Sequence, residues 1–243
     1  MWYLRKIEPL FSLLRGKFVS FVGAGGKTSL AEYLGRAAAA EGKRVALTTT
    51  TKVWAREPYA LFEGGGAHPC GEEGRLLRVG RAVEQGKLTG LGQDDVEALG
   101  NAFDLVLIEA DGSKGMPMKY PATFEPVIPP FSDLIIVVAG LDALGGAIAE
   151  KVFRWELFTG ASALSGDAEV TLQVFLRLFE ADGLMKGVAR DKSIVVLNKY
   201  DACTRREEAL DAGRAVLLET KSIEAVVASV RHGIFYGLTL QPA

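Results

Sequence analysis

Lys27 and Thr28 close the glycine-rich stretch Gly23-Ala24-Gly25-Gly26 and open a segment with helical spacing. An ammonium and a hydroxyl at the mouth of a glycine turn suit a polyphosphate and its metal ion. Glycines reach backbone angles closed to other residues, so successive N–H groups from Gly23 to Gly26 can converge as an anion nest. A helix starting at Lys27 adds its unpaired N–H groups, that of Ser29 among them, and the positive end of its dipole. Lys27 would then meet the β- and γ-phosphates, and Thr28 would ligate Mg²⁺. With the apolar run Phe18–Val22 before it, this is the strand–loop–helix layout of a P-loop. The loop departs from the common GxxxxGK[ST] pattern, because Phe21 stands where that pattern has its first glycine. What remains, GxxGKT, is shorter by two residues.

The chemistry-bearing clusters that follow each come after an apolar run. Thr48-Thr49-Thr50-Thr51-Lys52 puts hydroxyls beside the phosphate site, with Thr50 a candidate for Mg²⁺ or for a water, although threonine also simply favours strands. The run 104–108 ends in Glu109-Ala110-Asp111-Gly112, whose two carboxylates fall on one side of an extended chain. Either one would hold Mg²⁺ directly or through water, and both are candidates for the catalytic set with Lys27. Asn198-Lys199-Tyr200-Asp201 has the NKxD form that reads guanine: a carboxylate accepts from two donors on one edge of the base, and adenine lacks that donor pair. The same four residue types also make an ordinary turn. Ser229, at the end of the next run, would lie near the base. His68, Cys70, Glu72 and Glu73 cluster in sequence, but a chain with two histidines and two cysteines reads there as a metal-free loop.

The elements that must position these groups are short runs rich in Val, Ile and Leu at Phe18–Val22, Val45–Thr48, Leu105–Ile108, Leu134–Val138, Ile194–Leu197 and Ala225–Val230. Continuous apolar strands alternating with helices predict an α/β fold, a mostly parallel sheet with helices on both faces. Helices are expected over Thr28–Glu41, Arg75–Gln85, Asp94–Leu99, Ala168–Phe179 and Thr204–Glu219. The N-terminal segment 1–17 is amphipathic, its apolar residues also at roughly helical spacing. Segments 56–74 and 112–130 read as ligand-side loops, the second proline-rich and carrying Lys114, Lys119 and Glu125. One domain over 1–243 is the expectation.

Of 243 residues, 49% are hydrophobic and the formal net charge is −2, so neither nucleic acid nor an anionic membrane is an expected partner. Two cysteines cannot frame a disulfide scaffold, and no secretory signal is evident, which points to the cytoplasm. The longest apolar stretch, 134–149, is broken by Asp142 and glycines and reads as a strand plus a turn rather than a membrane span.

Taken in order, VGAGGKTSL, LTTTTKVW, LIEADGSKGMPMKYPATFEPVIPP, VVAGLDALGG, VFRWELFTG and VVLNKYD resemble the YqeC proteins, accessory proteins of selenium-dependent molybdenum hydroxylases. The similar segments reach from about 18 to 201. The resemblance implies a P-loop NTPase fold, a cytoplasmic role in maturing a selenium-containing molybdenum cofactor, and a molybdenum hydroxylase or a selenium donor as partner. It supplies no defined reaction. Lys114 stands where arginine is expected in such proteins, and Arg154 falls in a family-like segment as the candidate for an arginine finger.

The expectation is Mg²⁺-dependent binding and slow hydrolysis of a nucleoside triphosphate, GTP favoured over ATP, with Asn198, Lys199 and Asp201 at the base. Two rivals differ in class. One is an ATP-dependent ligase that activates a carboxylate, because the Mur-type ligases share the GxxGKT spacing. The other is a nucleotide-gated docking protein in which hydrolysis is incidental. Assembly NTPases often form C₂ homodimers, but no stretch of this sequence marks an interface.

Overall fold

Apolar runs with no polar side to turn outward become strands covered on both faces. The computed structural model describes residues 2–7, 14–63 and 76–240. In chain order its strands are β1 (Trp2–Lys6), β2 (Phe18–Gly23), β3 (Val45–Thr49), β4 (Lys52–Trp54), β5 (Tyr59–Leu61), β6 (Leu76–Gly80), β7 (Val83–Glu84), β8 (Lys87–Thr89), β9 (Leu105–Glu109), β10 (Met118–Lys119), β11 (Leu134–Gly140), β12 (Val152–Phe153), β13 (Ser193–Asn198), β14 (Glu224–Ser229) and β15 (Ile234–Leu240). The helices are α1 (Lys27–Ala40), α2 (Gln93–Ala102), α3 (Ile148–Lys151), α4 (Trp155–Ser162), α5 (Leu172–Arg177) and α6 (Arg206–Thr220).

A ten-stranded sheet runs in the order β1-β15-β14-β13-β11-β2-β9-β3-β6-β5. From β14 to β5 every pairing is parallel, and β15 and β1 add an antiparallel edge. The chain leaves β2 through α1 and returns at β3, passing over the position that β9 later fills. It leaves β11 in the other direction, toward β13. The carboxyl end of β2 therefore lies at the point where the winding reverses, the usual ligand crevice of such sheets.

Alternation sorts the core. Phe21, Leu107, Ile136 and Val138 share a cluster with Leu30, Leu34 and Ala38 of α1. Val22, Val137 and Leu197, pointing the other way, cluster with Phe158 of α4, Phe175 of α5 and Val216 of α6. Val106 and Ile108 pack with Val96 and Leu99 of α2. Each of these large side chains removed from water contributes about 1.5–3 kcal/mol, and together they anchor the strand ends that carry the polar clusters.

Three expectations are corrected. Residues 76–84 form β6 and β7 rather than part of a helix. Leu76, Val79 and Val83 have helical spacing, but Gln85 and Gly86 both have positive φ (49° and 74°) and form the two-residue turn of a hairpin that pairs Glu84 with Lys87. β6 also extends the parallel sheet beside β3, and that pairing overrides a weak helical period. Likewise, residues 2–6 form a strand against β15 rather than a helix. The helix expected over Ala168–Phe179 is confined to Leu172–Arg177, capped by the Thr171 hydroxyl, which accepts from the Val174 N–H. Of the segment 56–74, residues 59–61 are edge strand β5 and 64–74 lie outside the described residues, with His68, Cys70, Glu72 and Glu73. Among the described residues no helix is long and apolar enough to cross a membrane.

Candidate nucleotide site

The turn after β2 is held against β11 by close packing. Gly23 and Gly25 have positive φ (94° and 76°), and a Cβ on either would lie 2.2 Å from backbone atoms of Val138 or Gly140. Contact that close commits the early amides. Gly23 N–H donates to Asp111 Oδ2 (3.0 Å), Ala24 N–H to the Val138 carbonyl (2.8 Å) and Gly25 N–H to the Met116 carbonyl (3.0 Å). The N–H groups of Gly26, Lys27, Thr28 and Ser29 have no protein acceptor among the described residues. The anion-facing donors therefore begin at Gly26, where α1 opens, three residues later than the glycine pattern suggests. In the shortened loop the first glycines serve packing, and the free N–H groups are left at the helix end.

Lys27 is 2% exposed. Its ammonium folds back into the loop, donating to the Gly23 carbonyl and pairing with Asp111 Oδ1 at 3.1 Å, with the Ser113 hydroxyl at 3.4 Å. Asp111 is thus the counter-ion of Lys27 in this arrangement. Its Oδ2 pairs with Lys119 at 3.0 Å, and Lys119, wholly buried, donates to the Gly112 carbonyl and to Glu125 Oε2, both at 2.8 Å. Glu125 in turn bonds Arg154. Burial pushes the Glu125 carboxyl up, but its bonds to Lys119 and Arg154 outweigh that and leave it below its ordinary range. Arg154 has φ 62°, and its guanidinium stacks over Phe153 and Phe124.

Glu109 has the other role. Its Oε2 accepts from the Thr28 hydroxyl at 2.8 Å, at the first turn of α1. Burial raises its carboxyl above the ordinary range, against the pull of Lys27 and Thr28. A hydroxyl and a carboxylate, hard oxygen donors side by side next to the free helix amides, fit Mg²⁺. The two acids separate in space: Glu109 faces Thr28, whereas Asp111 faces the two lysines. The threonines divide similarly. Thr48 donates to the Val79 carbonyl, Thr49 to the Glu109 carbonyl, and Thr50 to the Val127 carbonyl at 3.0 Å, which ties segment 112–130 to the end of β3.

On the other side of the loop, the end of β13 turns into Asn198–Asp201. Asn198 is 4% exposed, and both ends of its amide are committed: Nδ2 donates to the Gly25 carbonyl (2.9 Å) and Oδ1 accepts from Val230 N–H (3.1 Å). It braces the loop against β14. Lys199, at φ 63°, pairs with Asp142 at 3.0 Å. Asp201 accepts from the Ser229 hydroxyl at 2.6 Å, which holds its carboxyl below the ordinary range. An open cleft of about 640 Å³, lined by Gly26, Ser29, Tyr33, Asn198, Lys199 and Asp201 among others, joins the loop to this turn. That volume lies within the range of about 300–1,000 Å³ usual for small-molecule sites. A hollow of about 30 Å³ beside Thr28 and Glu109 has room for little more than a water.

A family model described as "YqeC protein" matches residues 19–156. The chain is also 34% identical over 204 residues, 78% of each sequence, to "Uncharacterized protein YqeC" of Escherichia coli (strain K12). The chain belongs to the YqeC family. The YqeC match covers the loop, the threonine run, Glu109 to Asp111 and segment 112–130, and the NKYD turn lies beyond it. In this YqeC protein the strand-end clusters expected from sequence do converge, around the end of β2. What sequence reading missed is the chain Asp111–Lys119–Glu125. A lysine and a glutamate inside a proline-rich segment already assigned to the ligand side were the signal available.

Proposed function

We propose that this YqeC-family chain is an Mg²⁺-dependent nucleoside triphosphatase, favouring GTP over ATP, whose nucleotide state serves the maturation of a selenium-dependent molybdenum hydroxylase. One observation carries the nucleotide reading. The open cleft runs from Gly26 and Ser29, at the unpaired N–H groups that open α1, to Asp201, and the Thr28–Glu109 pair sits on the same first turn of the helix. Phosphates at the helix end would draw Lys27 out of its contacts with Gly23 and Asp111. Thr28 and Glu109 would hold Mg²⁺, which neutralises phosphate charge. Asp201, fixed by Ser229, would accept from the donor pair on guanine, and Asn198 keeps the turn and the loop in register. Arg154, the candidate for an arginine finger, is bound to Glu125 instead, and slow unassisted turnover is the expectation. The client class rests on the family resemblance alone.

Competition between GTP and ATP, measured on wild type and Asp201→Asn with Mg²⁺ present, tests the base assignment. Preference for GTP that collapses by about tenfold or more in the variant supports it. An unchanged preference, or a preference for ATP, refutes it.

A further inference from the structure

The Asp111 carboxylate has two ammonium partners, Lys27 at 3.1 Å and Lys119 at 3.0 Å, and only Lys27 belongs to the phosphate loop. If a triphosphate binds at the start of α1, as the proposed function requires, the Lys27 ammonium must leave Asp111 for a phosphate oxygen. Asp111 is 2% exposed, and a carboxylate stranded there without a counter-ion is strongly disfavoured. We infer that Lys119 is a positioning residue that makes Lys27 releasable. It stays on Asp111 when Lys27 departs, and its competition for the carboxylate sets how tightly the empty site holds its own lysine.

The geometry supports this division. Lys27 has two oxygen partners besides Asp111: the Gly23 carbonyl, within the loop, and the more distant Ser113 hydroxyl at 3.4 Å. Lys119 is held by the Gly112 carbonyl and Glu125 as well as Asp111, in a fully enclosed position with no route to the ligand. With Lys27 withdrawn, Asp111, Lys119, Glu125 and Arg154 form an alternating, neutral set. With Lys119 removed, Asp111 has Lys27 alone. Glu125 acts with the opposite sign, because it shares Lys119 and so weakens the claim of Lys119 on Asp111.

Equilibrium binding of MgGTP to folded variants, each checked by thermal melting, tests this. Lys119→Met is expected to weaken binding by about tenfold, and Lys119→Arg to recover most of the loss. Glu125→Gln is expected to tighten binding by about threefold, a sign that general damage to the network would not produce. In an Asp111→Asn background, which removes the charge holding Lys27, Lys119→Met is expected to have little further effect. The same fold loss in both backgrounds overturns the inference, as does weaker binding on Glu125→Gln. If Lys119→Met does not fold, the sign of the Glu125→Gln effect decides. Wild-type protein that binds neither MgGTP nor MgATP overturns the nucleotide reading itself, and this inference falls with it.

Discussion

The two ends of one parallel sheet use the same residue types in opposite ways. At the amino ends of β2, β3 and β9 the charges are exposed straps. Asp133 accepts from the N–H groups of Lys17 and Phe18, and Asp104 pairs with Arg44 at 2.8 Å, both side chains near half exposure. At the carboxyl ends, Lys27, Asp111, Lys119 and Glu125 are buried and interlocked. An exposed pair can be lost at little cost because water replaces either partner, whereas a buried charge has only its protein partners. An assembly that costly to build, placed at the winding reversal, is what the proposed nucleotide site would require of this end of the sheet.

The largest effect expected from breaking this contrast is on Asp111. Asp111→Ala leaves Lys27 and Lys119 buried without their shared carboxylate and should cost about 3–5 kcal/mol in chemical denaturation. Gly25→Ala comes next. Its Cβ would meet the Gly140 nitrogen at 2.2 Å in a backbone at φ 76°, and a loss of about 2–4 kcal/mol is expected from the same measurement. Gly112 gives the matching control, since a Cβ there meets nothing within 4 Å, and Gly112→Ala should change stability by about 0.5 kcal/mol or less.

The smallest effect belongs to the opposite end of the sheet. Hydrogen bonds from Arg44 hold the Asp104 carboxyl down at about 2, against an ordinary value of 3.8. A depressed folded value means that the contribution of the pair is present above the ordinary value and is lost as pH falls toward 2. Melting curves of wild type and Asp104→Asn should therefore differ slightly at pH 6 and converge only as pH falls through about 2. A difference that grows on acidification would contradict that sign.

Legibility in the sequence follows the same division. Strands buried on both faces announce themselves as apolar runs, so Phe18–Val22, Leu105–Ile108 and Ile194–Leu197 could be read directly, with the polar clusters at their ends. β6 and β7 could not, because Leu76, Val79 and Val83 satisfy a helical period by coincidence and only the Gln85-Gly86 turn argues otherwise. The roles of Glu109 and Asp111 were indistinguishable by spacing. They separate because Lys119, eight positions beyond Asp111 along a proline-rich path, returns to the end of β9, and local pattern carries no trace of such a return. Asn198 is a similar case: its type fits a base contact, and its partners, Gly25 and Val230, make it a brace.

The most direct test is calorimetric binding of MgGTP to the purified protein and to Lys27→Ala. Binding by wild type that the variant loses by about a hundredfold, with MgATP weaker than MgGTP, is the expected result. Equal affinity in the two proteins, or no binding by either, would contradict a triphosphate site at the start of α1.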